Sequence, residues 1–591
     1  MSGSRAHRVT AAGGAVFSAV LYAVLMFWPL LVSPPGPLRS IRTFAWHDQL
    51  GYLSMVANVA DGDVSNTEPV TETGVNHYPR FYYTTVGLVA HALHLEPITA
   101  WNAVSLVLQV SAVVALSLCL VVVSRRAWAG FLAPLPFFAG VLAFSSPLSD
   151  VWFRPLDSHA VLWGPYGVMF SNNGETAGIC IIVIATSALA AVWLRPRRAS
   201  VRVMTSVVAM LALGGLSSFQ TYSFLSGAYV VAYVAAALFL TRPGHRRWWI
   251  ALTLATFPVL FVAGPLVSSA AGQLPALVFG LLPAVPGLVR GLVLTRGLLA
   301  VYAATFAAAA LPQIVWTFSG VLQGDPFLSY RVASNVNLGV IRPETLVAST
   351  VVAVPLLVVL TLAIRRRAAI PAAVASAGVV VWGILATNDV WGANAEPYRF
   401  WIDCFLFGGI LTLVAGAALI GGAEREAAPR RVTVGVTRAL AVACAALYAV
   451  GLVDFINFTG DPRMSETWNP DAPRAAAATE LARSTVDADD RLLLVDTCMD
   501  DRTVKATSGA PMAFYYLGMA WPTDREAIQT VMDHREAGSP ISSDLASDAG
   551  VGWILRDSAC PTHIEVTGEQ GTFVAERSYG EGQTLQLWRL P

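Results

Sequence analysis

The residue types best suited to chemistry fall chiefly in four short stretches that lie between long apolar runs or at their ends. The stretch "FAWHDQLGYLSMVANVADGD" (44–63) sets His47, Asp48 and Gln49 at the head of a helical segment. A carboxylate at Asp48 is a helix cap or first-turn acid, or a general base, and the two roles are compatible. The stretch "VNHYPRFYY" (75–83) gathers His77, Tyr78, Arg80 and Tyr82. It suits an aromatic belt with a snorkelling arginine, or a subsite where tyrosine and histidine bind hydroxyls and arginine meets a phosphate. In "ANAEPYRFWID" (393–403), Arg399 stands at a helix start, the unfavourable pole of the dipole for a cation. It therefore needs an anion, either Glu396 or Asp403 in a salt bridge or a phosphate from outside. Arg331, in "SYRVASNVN", is a second candidate by the same reasoning. The fourth stretch, "SPLSDVWFRPLDSH" (146–159), offers Asp150, Arg154, Asp157 and His159, or simply a turn with a weak surface ion pair.

The elements that must position these groups are membrane helices. Of 591 residues, 55% are hydrophobic and 13% charged, and the mean hydropathy is +0.58. That balance fits a polytopic membrane protein. A net charge of zero gives no electrostatic case for nucleic acid. About thirteen apolar runs of roughly spanning length recur, near 12–33, 98–124, 127–145, 176–194, 203–219, 222–241, 248–271, 274–289, 297–318, 345–364, 368–386, 400–422 and 439–457. The first is read as an anchor helix rather than a cleaved signal. The run 274–289 is proline-broken and the least regular.

Basic clusters at Arg5/Arg8, Arg125-Arg126, 195–198, 242–247, Arg290/Arg296, 365–367 and 429–438 fall at alternate ends of successive spans. Thirteen spans put them all on one side, which the positive-inside rule makes cytoplasmic. The N-terminus is then cytoplasmic, and the acids outside Glu424 and Glu426 lie on the outer side up to the last span. A nucleotide-sugar or NTP enzyme needs carboxylates or a Gly-rich phosphate loop facing the cytosol, and neither is present. The segment 44–63 is expected to lie in the membrane interface as an amphipathic helix, with Gly51, Ser54, Asn58 and Asp61 on its polar stripe.

After residue 458 the composition changes, and the only lysine, Lys505, lies there. The segments 491–497, 551–557 and 582–590 read as strands, and 523–538 as a helix with Asp524 near its start. The expected organisation is a transmembrane domain, 1–458, with long aromatic outer loops (34–97, 146–175, 319–344, 387–399), and a small extracytoplasmic α/β domain, 459–591. Cys119, Cys180, Cys404 and Cys444 sit in or beside apolar runs, while Cys498 and Cys560 are free to pair in an oxidising compartment. Trp521, Trp553 and Trp588 are either sugar-stacking residues or buried core.

An Asp opening a helix in the first outer loop, followed by a Tyr-Pro-aromatic segment, resembles the GT-C class of integral-membrane glycosyltransferases. Within it, "DQLGYLSMV" (48–56) with "HYPRFYYTTVGLVA" (77–90) looks most like the arabinofuranosyltransferases of actinobacterial cell-wall synthesis. Those read an Asp-Gln pair and then a Tyr-Pro-Pro-aromatic run; here Arg80 stands where the second proline would be. The resemblance implies a multi-pass plasma-membrane enzyme taking a sugar, arabinofuranose first, from a polyprenyl-phosphate donor to a cell-envelope glycan. It implies Asp48 as base, with Asp150 as a second acid. Arg399, Arg331 and Arg80 are the expected phosphate partners, and His47, Gln49, His77, Tyr78, Tyr82, Glu396 and Tyr398 the substrate contacts. No cofactor is required, and a divalent cation stays an open alternative. The competing readings are a transporter or flippase, or a polymerase, of lipid-linked saccharides; a transporter calls for ionisable groups or paired broken helices near mid-membrane.

Overall fold

The computed structural model describes residues 5–32, 48–140, 165–334, 341, 343–422, 431–460, 472–486, 491–516, 518–567 and 571–591. Eleven of the described helices are long and apolar enough to cross a membrane, from Arg5–Phe27 to Ala441–Thr459. Two shorter apolar helical segments fall on the remaining two runs: Thr350–Arg365, and Ala127–Phe138, a 3-10 turn followed by a four-residue helix. The proline-broken run is helical in two pieces, Gln273–Phe279 and Val285–Leu294. A helix opened inside a membrane leaves carbonyls that need donors. Tyr229 donates to Leu277 O, and Tyr233 to Gly280 O at 2.7 Å.

The chain divides into two compact units. The first comprises Met1–Phe27, Leu106–Ile314 and Ser334–Asp461. Its most enclosed span is Pro397–Gly422, buried along most of its length. Small residues let helices approach closely: Gly178 faces Ser223, and Gly227 faces Ile182. Polar contacts fix the relative direction of several spans. Arg195 donates to Val123 O and lies against Gly421, which gathers the C-terminal ends of Pro97–Ser124, Gly174–Trp193 and Pro397–Gly422. The opposite ends of the last two meet the start of Thr221–Leu240 at Glu175, Tyr222 and Arg399. These four helices are the second, fourth, sixth and twelfth apolar runs, and odd–even alternation requires them to run the same way.

The second unit joins Trp28–Ser105, Val315–Ala333 and Pro462–Pro591. Its sheet holds β1 (Leu492–Val495), β3 (Val551–Asp557), β5 (Thr572–Gly580) and β6 (Gln583–Arg589) in the order β1-β3-β6-β5. The pair β1/β3 is parallel, and the other pairings are antiparallel. Two short strands, β2 (Ile541–Ser542) and β4 (Val566–Thr567), pair separately. Along β1 the side chains alternate between two cores. Leu493 and Val495 pack with Ala478, Leu481 and Val70, while Leu492 and Leu494 pack with Ile528 and Val531. The strands expected at 491–497, 551–557 and 582–590 are present, as is the helix expected over 523–538, which runs Arg525–Glu536 just after Asp524. The helix Ala472–Val486 and the exposed edge strand β5 carry little apolar periodicity to mark them in the sequence. Val70 belongs to the first loop, so that loop contributes to the core of the C-terminal segment.

Cys498 and Cys560 are bonded, with Cα atoms 5.7 Å apart. Among the described cysteines, Cys119, Cys180 and Cys404 are buried and free. Trp553 is core, 4% exposed. Trp521 is covered by Arg525, whose guanidinium carbon lies 3.5 Å from the ring centroid, and by Tyr330. Trp588 is flanked by Arg556 and Phe573.

Candidate functional site

In the second unit, Asp48 is the first residue of the helix Asp48–Ala60. The expected interfacial helix with one wet stripe is not what forms. From Gln49 to Val59 every residue is buried, Ser54 and Asn58 of the polar stripe bond within the protein, and only Asp61 at its end is exposed. Ser54 donates to Leu50 O at 2.9 Å, and Asn58 to Pro69 O at 3.0 Å. Tyr52, one turn after Asp48, stacks on Tyr83 at 4.9 Å and shares a 2.9 Å hydroxyl contact with Tyr78. Tyr83 in turn stacks on Trp101. This aromatic column braces the first turns of Asp48–Ala60 against Phe81–Leu93. Gln49 is 4% exposed, and its Oε1 has no hydrogen-bond partner among the described residues. A buried acceptor left open is costly and calls for a donor from elsewhere.

The other first-loop candidates are committed to partners within the protein. His77 is 4% exposed, with Nδ1 3.2 Å from Trp316 O, its ring against Trp316, and Nε2 3.9 Å from Asp325. Tyr82 is core at 1%. Arg80 donates to the carbonyls of Ser65 and Val64, which fold the 63–67 turn back on it. Arg331 lies in the last turn of Pro326–Ser334, where a cation suits the helix dipole. At the far end of the Asp48–Ala60 helix a polar cavity of about 320 Å³ is lined by Asp61, His91, His94, Glu96, Arg483 and Thr507. Burial pushes the Asp61 carboxyl up, with Lys505 and Arg483 opposing.

In the first unit, Arg399 lies in the first turn of Pro397–Gly422, and its salt-bridge partner is Glu396, Nε to Oε2 at 2.5 Å. Glu175 adds a second carboxylate, 3.6 Å from Nη1. The rings of Tyr222 and Tyr398 lie 5.2 and 5.7 Å from the guanidinium carbon. One turn on, Asp403 is 0% exposed; Ser226 donates to its Oδ2 at 2.8 Å, and Oδ1 has no hydrogen-bond partner among the described residues. Glu175 was legible only as an outer acid at a span start. Its neighbour Asn173 does the capping, accepting from the amides of Glu175 and Thr176, which leaves the Glu175 carboxylate for Arg399.

His47, Asp150, Arg154, Asp157 and His159 lie outside the described residues, as does the side chain of Asp48. Among the described residues no group of three or more His, Cys, Asp or Glu is placed to hold a metal ion.

No protein-family model matches the chain, and no curated protein matches it. Its structural neighbours are GT-C glycosyltransferases at low sequence identity. ArnT from Cupriavidus metallidurans, bound to undecaprenyl phosphate, aligns over 97% of this chain and 98% of its own, with 13% identity and a TM-score of 0.47. The Archaeoglobus fulgidus oligosaccharyltransferase aligns over 93% of this chain and 69% of its own, with 13% identity and a TM-score of 0.46. The arabinofuranosyltransferase AftD from Mycobacteria has 14% identity and a TM-score of 0.49. The alignment to AftD covers 99% of this chain and 40% of AftD.

Proposed function

We propose that the chain is a GT-C glycosyltransferase that moves a sugar from a polyprenyl-phosphate donor to a cell-envelope glycan at the outer face of the membrane. Arabinofuranose is the first sugar to test. The observation that carries this reading is the buried ionic knot of Arg399, Glu396 and Glu175 where three spans begin. Ionisable groups are expensive in such helices and are kept for function. Asp48 takes the proton of an acceptor hydroxyl. The hydroxyl oxygen attacks the anomeric carbon as the bond to the phosphate oxygen breaks on the opposite face, inverting the centre. The phosphate departs with added negative charge, which a cation must meet. Arg399 takes that role ahead of Arg80, whose donors serve loop carbonyls. The open acceptor of Gln49, next to Asp48, receives a substrate hydroxyl. The Cys498–Cys560 bond supports an oxidising, extracytoplasmic setting for the C-terminal segment.

The test is transfer by purified protein from a panel of polyprenyl-phosphate sugars to glycan acceptors. Asp48→Asn is expected to stay folded and inserted while losing about a hundredfold or more of the rate. Near-normal transfer by that variant would reject Asp48 as base. The transporter reading draws on the buried Asp403 and the interrupted span Gln273–Leu294. It predicts lipid-linked saccharide crossing vesicles with no transfer product.

A further inference from the structure

The two carboxylates on Arg399 are held very differently. Glu396 sits 2.5 Å from Nε, within hydrogen-bond distance. Its backbone is in the left-handed region (φ 40°), as is that of Asn394 (φ 48°), in a segment that turns at Gly392. Asn388 fixes this segment by accepting from Ala395 N at 2.7 Å and donating to Leu385 O at 2.8 Å. Non-glycine residues held in that conformation are strained, so the surrounding contacts impose the direction of Glu396. Glu175 instead reaches Nη1 only at 3.6 Å, an ion pair without a hydrogen bond. A guanidinium has five N–H donors, and among the described residues only the one at Nε is committed to a carboxylate at bonding distance. The flanking tyrosine rings leave its forked edge in a set plane.

We infer that Glu175 is the exchangeable counterion of Arg399: it neutralises the guanidinium when no donor is bound and gives way to the donor phosphate, while Glu396 keeps the guanidinium oriented throughout. This rests on the reading of Arg399 as the phosphate partner. The three helices that begin here, Gly174–Trp193, Thr221–Leu240 and Pro397–Gly422, favour an added anion at their N-termini. With Glu396 fixed, the loosely held Glu175 is the anion that yields. The chemistry then gives Glu175 a second task. A sugar phosphodiester carries one negative charge, and breaking its sugar–oxygen bond leaves a phosphate monoester that carries up to two. The product therefore grips Arg399 harder than the substrate did, and the returning Glu175 carboxylate competes it away. Glu175 is thus a positioning residue that acts through Arg399.

The experiment measures binding of a short-chain polyprenyl monophosphate, without sugar, to the full chain in nanodiscs. Glu175→Gln is expected to bind this probe about tenfold more tightly than wild type and Glu396→Gln more weakly, whereas Arg399→Ala loses binding. In transfer assays Glu175→Gln lowers both the donor KM and kcat, because release of the product slows. Glu175→Asp keeps the charge with a shorter reach and falls between wild type and Glu175→Gln; if the glutamine variant does not fold, the aspartate variant decides alone. Unchanged or weaker binding by the Glu175 variants, with binding lost in Arg399→Ala, overturns the counterion role and leaves the phosphate reading standing. Undiminished binding by Arg399→Ala overturns the phosphate reading itself.

Discussion

Glu68 is wholly buried, and its carboxylate accepts from Val70 N at 3.0 Å and from the amide and hydroxyl of Thr71 at 2.7 and 2.8 Å. Those bonds favour the charged form, yet burial outweighs them and raises the group from 4.5 to about 7. A carboxyl raised on folding binds protons more tightly in the folded chain than in the unfolded one. Its contribution is therefore fully present below the unfolded value and is lost as pH rises from about 4.5 through about 7. The span corresponds to about 3 kcal/mol. Burial raises Asp61 and Asp501 in the same direction, so their contributions decline with rising pH as well. Unfolding of the full chain, followed by tryptophan fluorescence, is expected at lower denaturant at pH 7 than at pH 5. Glu68→Gln should reduce that difference, and an identical pH dependence in the variant would refute the assignment. The same accounting of partners separates the first-loop candidates. Gln49 has an acceptor to spare, whereas Arg80 is spent on its own loop, His77 on Trp316 and Asp325, and Tyr82 on the core. Residue type alone could not distinguish them, because a histidine or tyrosine reads the same whether it meets a sugar or a neighbouring backbone carbonyl.

Between elements, the decisive joint of the second unit is the clip between the first loop and the C-terminal segment. Lys505, wholly buried on Asp501–Ser508, pairs with Glu72 and donates to Gly509 O at 2.8 Å. Beside it, Gly74 donates to Thr523 Oγ1 at 3.1 Å, and Met512 to Val70 O at 3.0 Å. Breaking a buried ion pair costs most when the buried charge is left behind. Glu72→Gln strands Lys505 in the core and should cost roughly 3 kcal/mol, whereas Lys505→Met fills similar volume with apolar atoms and should cost about 1 kcal/mol or less. Chemical unfolding of the two variants checks the order, and a larger loss in Lys505→Met would reverse the reading. Elements with a strong local pattern were legible in the sequence: the spans by length and apolarity, β1, β3 and β6 by apolar runs, and the Arg525–Glu536 helix by its acid start. What stayed hidden was decided by distant partners. The polar stripe of Asp48–Ala60 looked solvent-facing because Pro69 O, the acceptor for Asn58, lies 11 residues away and the covering helix Asp501–Ser508 lies hundreds of residues on. Glu175 read only as one more outer acid because its ion-pair partner is 224 residues downstream, as its number and that of Arg399 show.

At the scale of the whole molecule, three kinds of observation support the expected direction through the membrane. The thirteen apolar runs alternate their basic ends, which positive-inside bias assigns to the cytoplasm. The contacts of Arg195 with Val123 and Gly421, and of Arg399 with Glu175 and Tyr222, require four even-numbered spans to share one direction. An error of one span between the second and twelfth runs would point some of them the wrong way. The Cys498–Cys560 bond, in the segment after the last span, suits the oxidising side. The expected orientation therefore puts the exposed Ser200, beside the 195–198 basic cluster, in the cytoplasm and the exposed Ser539 outside. A membrane-impermeant maleimide should label Ser539→Cys in intact cells and Ser200→Cys only after permeabilisation. Cys119, Cys180 and Cys404 are buried and Cys444 half-buried, which keeps the background low. The reverse pattern would invert the protein, move Asp48 to the cytosolic face and overturn the proposed outer-face transfer. Labelling of both positions from one side would break the count of thirteen spans, and with it the separation of acidic outer loops from basic inner ones on which the proposed chemistry depends.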